Sequence, residues 1–279
     1  MISTNILEAN KKLHRRLVLS GEYQKSPHFL LENKNRVRRQ FENEVLPFFL
    51  GQKINAIDFG CGTGFIIDLL VDVVETIDGV DITQEMLDEV DTSPGHVTVT
   101  LSEAERTPFE NDKFNLATAY SFLDHLSDIE IFFKEVYRVL KNGGVFYTGL
   151  NPNIYFAGLI KSALNNDPTE TGRNELVNRE VMSMLNNGTY YEEKFGIEKH
   201  VVEAAEYIKT IDGGICPYEL KRLALSVGFS HANLSLDWFL GQATYGNAPN
   251  ELQAVKKYLN KTMPASVPFF KYFNYVFVK

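Results

Sequence analysis

The chain has 279 residues and a mass of 31.7 kDa, one large domain or one and a half at roughly 150 residues each. Its 44% hydrophobic and 23% charged residues exclude a disordered or collagen-like chain. With 28 Lys and Arg against 36 Asp and Glu, the net charge of −8 argues against a whole-surface nucleic-acid binder, which would usually be basic.

Residues 4–19 read as a helix, with Ile6, Leu7, Leu13, Leu17 and Val18 apolar and basic residues between them. Gly21 and Pro27 interrupt the pattern. A second helix is predicted from about Leu30 to Phe49, with Leu31, Val37, Phe41 and Val45 on one side and Pro47 as an early stop. Residues 1–50 hold nine Lys or Arg and five Asp or Glu, a local +4 that leaves −12 on the rest. A solvated helix face explains this basic start; a contact surface for an anionic substrate is the sharper alternative. No run of signal-peptide or membrane-spanning length is present. Two cysteines, Cys61 and Cys216, make no disulfide framework, and a reducing, cytoplasmic location is the default expectation.

From Lys53 strands and helices alternate. Ile54–Phe59 reads as a strand running into a glycine cluster, and Ile66, Ile67, Leu69 and Leu70 suit a helix packed on a sheet. Val74–Val80, His96–Leu101 and Phe114–Tyr120 are further strands, with a short helix at Gln84–Val90. Asp128–Leu140 has helical spacing, Asn142-Gly143-Gly144 is expected to stop that helix, and Val145–Gly149 is the next strand. Such alternation predicts an α/β fold, a Rossmann-like, mostly parallel sheet with helices on both faces. Residues 151–213 show helical patterns and aromatics but no clear strand, and are predicted to be a helical insertion or lid. A helix near Pro217–Val227, a strand near Ala232–Leu236 and a last strand within Phe269–Val278 complete the sheet. The organisation expected is an N-terminal helical lid segment (1–50), a cofactor-binding core (51–150), a helical insertion over the substrate (151–213) and the C-terminal part of the core (214–279).

The most informative residues are Asp58-Phe59-Gly60-Cys61-Gly62-Thr63-Gly64, placed after a strand and before a helix. Open parallel sheets bind ligands at the carboxyl ends of their strands, and glycines there let backbone approach the ligand. A dinucleotide fingerprint would put its third glycine at position 65, which is Phe65, and no Lys follows as a phosphate-cradling loop would need. Asp58 suits an ammonium or sulfonium better than a pyrophosphate. Asp81, 23 residues further on at the end of the second strand, could accept both ribose hydroxyls, and Ile82 could pack on an adenine. Ser102-Glu103-Ala104 ends the third strand, where a carboxylate could accept an adenine amino group.

On these residues the sequence resembles the class I S-adenosylmethionine-dependent methyltransferases, in particular the small-molecule branch similar to ubiquinone and menaquinone biosynthesis enzymes. The matching stretches are Asp58 to Gly64, Gly79 to Thr83, Glu103 to Phe109, Phe114 to His125 and Val136 to Gly144. The resemblance covers about residues 50–150 well and 213–236 more weakly. It implies a seven-stranded sheet with its last strand antiparallel. It also implies S-adenosyl-L-methionine as cofactor and S-adenosyl-L-homocysteine as product. The methionine end would lie over Gly60, Cys61 and Gly62, with Gly64 completing the loop. Asp58 would act through the loop or a water, Asp81 on the ribose, Glu103 and Ala104 at the adenine, and Tyr120 beside the methionine.

A sulfonium methyl is transferred by in-line displacement, so positioning and exclusion of water carry much of the acceleration. A general base is needed for a poorly ionised acceptor only. Candidates for the catalytic side are His125 after the fourth strand, Tyr23 closing over the cofactor, and Asn151 lining the pocket after the fifth strand; His200 in the insertion could face the acceptor. For His125 a helix-start or packing role is the competing reading, for Tyr23 a surface aromatic, and for Cys61 a small filler. Six histidines show no metal-ligand spacing with the two cysteines, so no metal is expected. The reading is a methyltransferase for a small-molecule acceptor, with no nucleic-acid partner. The alternatives are an RNA or protein methyltransferase and a non-catalytic cofactor-binding protein.

Overall fold

The computed structural model describes every residue except Met1, 27–28, 167–173, Asn186 and Asn247. The expectations attached to Pro27 and His28 lie outside the described residues. The apolar run before the glycine cluster forms β1 (Asn55–Phe59), buried along nearly its whole length. Burial on both faces is what a central parallel strand requires, because helices cover each side. It pairs in parallel with β2 (Thr76–Asp81) and with β4 (Phe114–Tyr120); β3 (Val97–Leu101) lies outside β2, and β5 (Leu140–Pro152) outside β4. β6 (His231–Phe239) and β7 (Phe270–Val278) complete a seven-stranded sheet in the order β3-β2-β1-β4-β5-β7-β6. β7 alone runs antiparallel, between β5 and β6. The predicted α/β fold is the observed one, last strand included.

On one face of the sheet, α5 (Ile129–Val139) and α11 (Pro217–Val227) bury Phe132, Phe133, Val136 and Leu220 against the strands. Asp128 caps α5, its side chain accepting from the N–H groups of Glu130 (2.9 Å) and Ile131 (3.0 Å). On the other face, α2 (Leu31–Glu44) and α3 (Phe65–Leu70) bury Val37, Phe41, Ile66 and Ile67. α2 ends before the expected Phe49, and a 3-10 turn over Leu46–Phe49 follows, because Pro47 has no N–H to continue the helix. The short helix α4 (Gln84–Leu87) follows β2. Asn142-Gly143-Gly144 does not form the expected helix stop: α5 ends at Val139 and β5 begins at Leu140. It lies inside β5, where pairing with β4 shifts between Phe114 and Leu116, and Gly143 N–H donates to Lys279 O (2.9 Å).

The segment after β5 is helical: α6 (Ile154–Asn166), α7 (Glu175–Leu185), α8 (Asn187–Phe195), α9 (Lys199–Ala205) and the single turn α10 (Tyr207–Thr210). Its two ends meet, since Ile215 N–H donates to Pro152 O (2.7 Å) and Ile154 N–H to Ile215 O (3.2 Å). The excursion therefore leaves and rejoins the sheet at one point without disturbing the strand order. α1 (Ile2–Leu19) packs on it: Ala9, Leu13 and Leu17 form a separate apolar core with Phe195, Ile197, Val201, Val202 and Ala205. The N-terminal helix and the insertion are thus one covering layer over the carboxyl ends of β1, β2 and β4. Among the described residues no helix is long and apolar enough to cross a membrane. A further helix, α12 (Pro249–Lys261), precedes β7.

Candidate active site

The glycine loop is shaped by left-handed backbone that L side chains rarely adopt: φ is 64° at Gly60 and 53° at Gly62. Both glycines are also crowded. A Cβ on Gly60 would lie 2.0 Å from Phe122 Cδ2, and one on Gly62 would lie 3.0 Å from Tyr23 Oη. An aromatic from the end of β4 and one from the N-terminal segment therefore close on the loop. Asp81 fastens it from below: Oδ2 accepts from Gly62 N–H (3.0 Å) and Oδ1 from Thr83 N–H (2.9 Å). Asp58 is buried, and Thr118 on β4 donates its hydroxyl to Oδ1 (2.7 Å).

Burial pushes the Asp58 carboxyl up to about 7, against the Thr118 hydrogen bond, and the nearby Asp81 charge adds to the rise. Burial also raises Asp81, against the N–H groups of Thr83 and Gly62. The Tyr23 phenol is raised by burial and then by Asp81, so it stays protonated. Two desolvated carboxylates at adjacent strand ends want a cation. An adenosyl sulfonium with its ammonium meets that need, and the glycine loop leaves no side chain in its way. On this donor set the residues fit S-adenosylmethionine.

A cavity of about 840 Å³ runs over these strand ends and is roofed by the covering layer. Tyr23, Asp58, Gly60, Cys61, Gly62, Asp81, Ile82, Glu103, Ala104, Tyr120 and His125 all line it. Three expected residues do not act there. Asn151 is 1% exposed and points to β7: its amide donates to Phe273 O (3.1 Å) and its oxygen accepts from Thr148 (3.0 Å). A register shift between Thr148 and Asn151 turns it away, so the expectation that it lines the pocket is corrected. Gly64 is the N-cap of α3 with φ 91°, a helix-start position rather than a cavity wall. His200 is 76% exposed by side chain beside Glu198 and is not a lining residue of the cavity. Cys61 lines the cavity while its sulfur is buried near Gly79, and burial raises its thiol far above the ordinary value. That agrees with a filler.

Opposite the glycine loop the wall comes from the 3-10 turn Leu123–His125 after β4, from α1 and from α10. Asn10 organises it. Its amide nitrogen donates to Ile6 O (3.1 Å) and His125 O (3.0 Å), so its oxygen faces His125 Nδ1 (2.8 Å). Ala205 O is a second acceptor at 3.0 Å. With acceptors alone around it, Nδ1 carries the hydrogen, and in the neutral ring Nε2 holds the lone pair. His14 stands one turn beyond Asn10, its ring 5.1 Å from that of His125. Burial, then the neighbouring His125, pushes it down to about 3, so His14 is neutral. Asn10, His14, Phe122, Tyr191, Glu206 and Lys209 are cavity residues that the sequence reading did not place. For Asn10 and His14 a signal existed: they lie four apart on the helix side that carries Ile6, Leu13 and Leu17.

Residues 57–148 match the family model described as a methyltransferase domain. A probable S-adenosylmethionine-dependent methyltransferase from Mycolicibacterium smegmatis is 26% identical over 103 residues, covering 37% of this chain and 40% of that protein. An uncharacterized protein from Methanocaldococcus jannaschii is 30% identical over 113 residues, 40% of this chain and 43% of its own. The chain thus matches less than half the length of these relatives. A SAM-dependent methyltransferase structure from Archaeoglobus fulgidus superimposes with a TM-score of 0.52 at 15% identity, covering 91% of this chain and 100% of that one. That likeness is one of fold.

Proposed function

We propose that residues 57–148, which match the methyltransferase-domain family model, form a class I, S-adenosylmethionine-dependent methyltransferase domain, and that the chain transfers the cofactor's methyl group to a small-molecule acceptor by in-line displacement. The observation that carries the reading is the roofed cavity, which joins the glycine loop, Asp58 and Asp81 to a wall built from α1, α10 and the turn after β4. When bound, the cofactor supplies an electrophilic methyl on a sulfonium. Asp81 and Ile82 hold the ribose and adenine side, with Glu103 and Ala104 beyond them. Asp58 and the loop hold the methionine side. The covering layer keeps water out, so orientation does most of the work. His125 Nε2 is the group able to take a proton from an acceptor that needs to lose one.

A macromolecular acceptor is disfavoured by the fate of the basic N-terminal segment. Lys11, Lys12, Arg15, Lys25, Lys34 and Arg36, six of its nine cations, are paired with Glu8, Glu198, Glu85, Glu22, Asp68 and Asp237. Those charges serve the chain's own packing. The test is transfer of tritiated methyl from S-adenosylmethionine into cell extract, with products separated by size. Label in small molecules is expected. Label confined to RNA or protein refutes the small acceptor, and no transfer alongside tight cofactor binding refutes catalysis.

A further inference from the structure

The wall opposite the glycine loop carries a sign of charge. Asp124 sits on the turn after β4, lines the cavity and is 6% exposed, and its Oδ1 has no hydrogen-bond partner among the described residues. A carboxyl oxygen buried this deeply is normally matched, because a polar atom that loses water without gaining a partner is destabilising. The cation whose charge reaches it is Lys209 on α10, and that ammonium is hydrogen-bonded to Glu206 Oε2 at 2.7 Å. Burial works against the charge on Lys209, yet Glu206 and then Asp124 outweigh it and hold the lysine protonated. One cation therefore serves two carboxylates. The other lysines of the lining, Lys25 and Lys194, are held at the rim by Glu22 (2.9 and 3.0 Å).

The rest of the wall asks for hydrogen-bond donors too. His14 is neutral and spends its Nδ1–H on Asn10 O (3.0 Å). His125 spends its own on Asn10 and Ala205, leaving a lone pair at Nε2. Around these acceptors stand aromatic rings: Tyr23, Phe122, Tyr191 and Tyr272. Aromatic faces attract a cation as well as an apolar body. An anionic acceptor would sit beside carboxylates, and a neutral one would leave Asp124 unmatched.

We propose that the acceptor is a small amine, cationic in water, held through its ammonium by Asp124 at the inner wall of the cavity. The proposal rests on the methyltransferase reading and adds the substrate's charge class to it. An ammonium brings three N–H donors to a wall of acceptors and supplies the positive charge that Lys209 alone does not.

The test uses full-length protein saturated with S-adenosylhomocysteine and three probes that share a ring and differ in head group: 2-phenylethylamine, 2-phenylethanol and 3-phenylpropionate. Titration calorimetry reads each affinity, and S-adenosylhomocysteine affinity is measured separately. The amine is expected to bind about tenfold tighter than the other two. In Asp124→Asn that preference should shrink to within about threefold, with S-adenosylhomocysteine affinity unchanged. The proposal is overturned if the alcohol or carboxylate matches the amine, if no probe binds at millimolar concentration, or if Asp124→Asn keeps the preference. The ranking in the unmodified protein decides the charge class even where the variant does not fold. Failure of S-adenosylhomocysteine to bind would instead bring down the cofactor reading itself, and this proposal with it.

Discussion

Asp58 makes cofactor binding a proton-linked event. In the free protein its carboxyl is pushed by burial from 3.8 to about 7, a difference of about 4 kcal/mol between charged and neutral forms. A cation placed beside it favours the charged form and lowers that value again. Below pH 7 the free protein therefore holds a proton that the complex does not, so affinity must rise with pH up to about 7 and level off above it. If the complex keeps Asp58 ionised throughout, affinity for S-adenosylhomocysteine should fall about 25-fold between pH 7.5 and pH 5.5, roughly tenfold for each full unit below 7. Staying at or below about pH 7.5 keeps the ligand's own ammonium mostly charged, since an α-amino group titrates near 7.7–8.0. Calorimetry in two buffers of different ionisation enthalpy would read the proton release directly. Asp81 is raised as well and feeds the same slope, so Asp58→Asn is the control that isolates Asp58: it should flatten most of the dependence. A level affinity across this range, or an undiminished slope in Asp58→Asn, refutes the linkage.

Three further outcomes follow from packing. Asn151→Ala should cost about 1–3 kcal/mol of stability by denaturant unfolding, because Thr148 and Phe273 lose a buried partner, while S-adenosylhomocysteine affinity stays put. Gly79→Ala places a methyl 2.8 Å from Ile67 Cδ1 and 2.9 Å from Cys61 Sγ, and should cost about 1–3 kcal/mol. Adding Cys61→Ala should return part of that cost, since the sulfur is half of the clash. Asp237→Ala takes the counter-charge from Arg36, which keeps the neutral partners Asn33 and Tyr120, and should lower stability by about 1–3 kcal/mol; Arg36→Met in the same chain should restore much of it.

What the sequence disclosed follows from how local each cause is. β1 and β4 were legible as buried, largely apolar runs, β3 by its β-branched residues and α5 by amphipathic spacing. Asn142-Gly143-Gly144 misled because a glycine pair reads the same whether it ends a helix or bends a strand; Lys279 O, from the far end of the chain, decides the matter. Asp58, Gly60, Gly62, Asp81, Ile82 and Ala104 sit on consecutive strand ends, so their convergence could be read from strand order alone. Asn151 met the same criterion, and a register shift with a left-handed Leu150 (φ 58°) turned its side chain into the sheet. The opposite wall depended on α1 finding α9 and on α10 finding the turn after β4. Those pairings join distant segments through shared apolar surface, which no local pattern announces.

That long-range pairing is where binding and covering are coupled. Asn10 grips both the backbone and the ring of His125, so one amide ties α1 to the end of β4. Most of α1's other attachment is to α9, inside the covering layer, with a smaller one to α4 through Arg15 and Glu85 (2.8 Å). Removing the amide should therefore loosen the layer from the sheet while leaving the layer whole. In Asn10→Ala, hydrogen exchange of α1 amides should speed up, with a loss of about 1–3 kcal/mol of local stability. The His125 ring keeps Ala205 O as acceptor, so nitrogen NMR should still find the hydrogen on Nδ1. S-adenosylhomocysteine affinity should change little, because Asn10 touches neither the glycine loop nor Asp81. A switch of tautomer, or α1 exchange as slow as before, would show that Asn10 tunes the histidine or merely fills space and does not latch the cover.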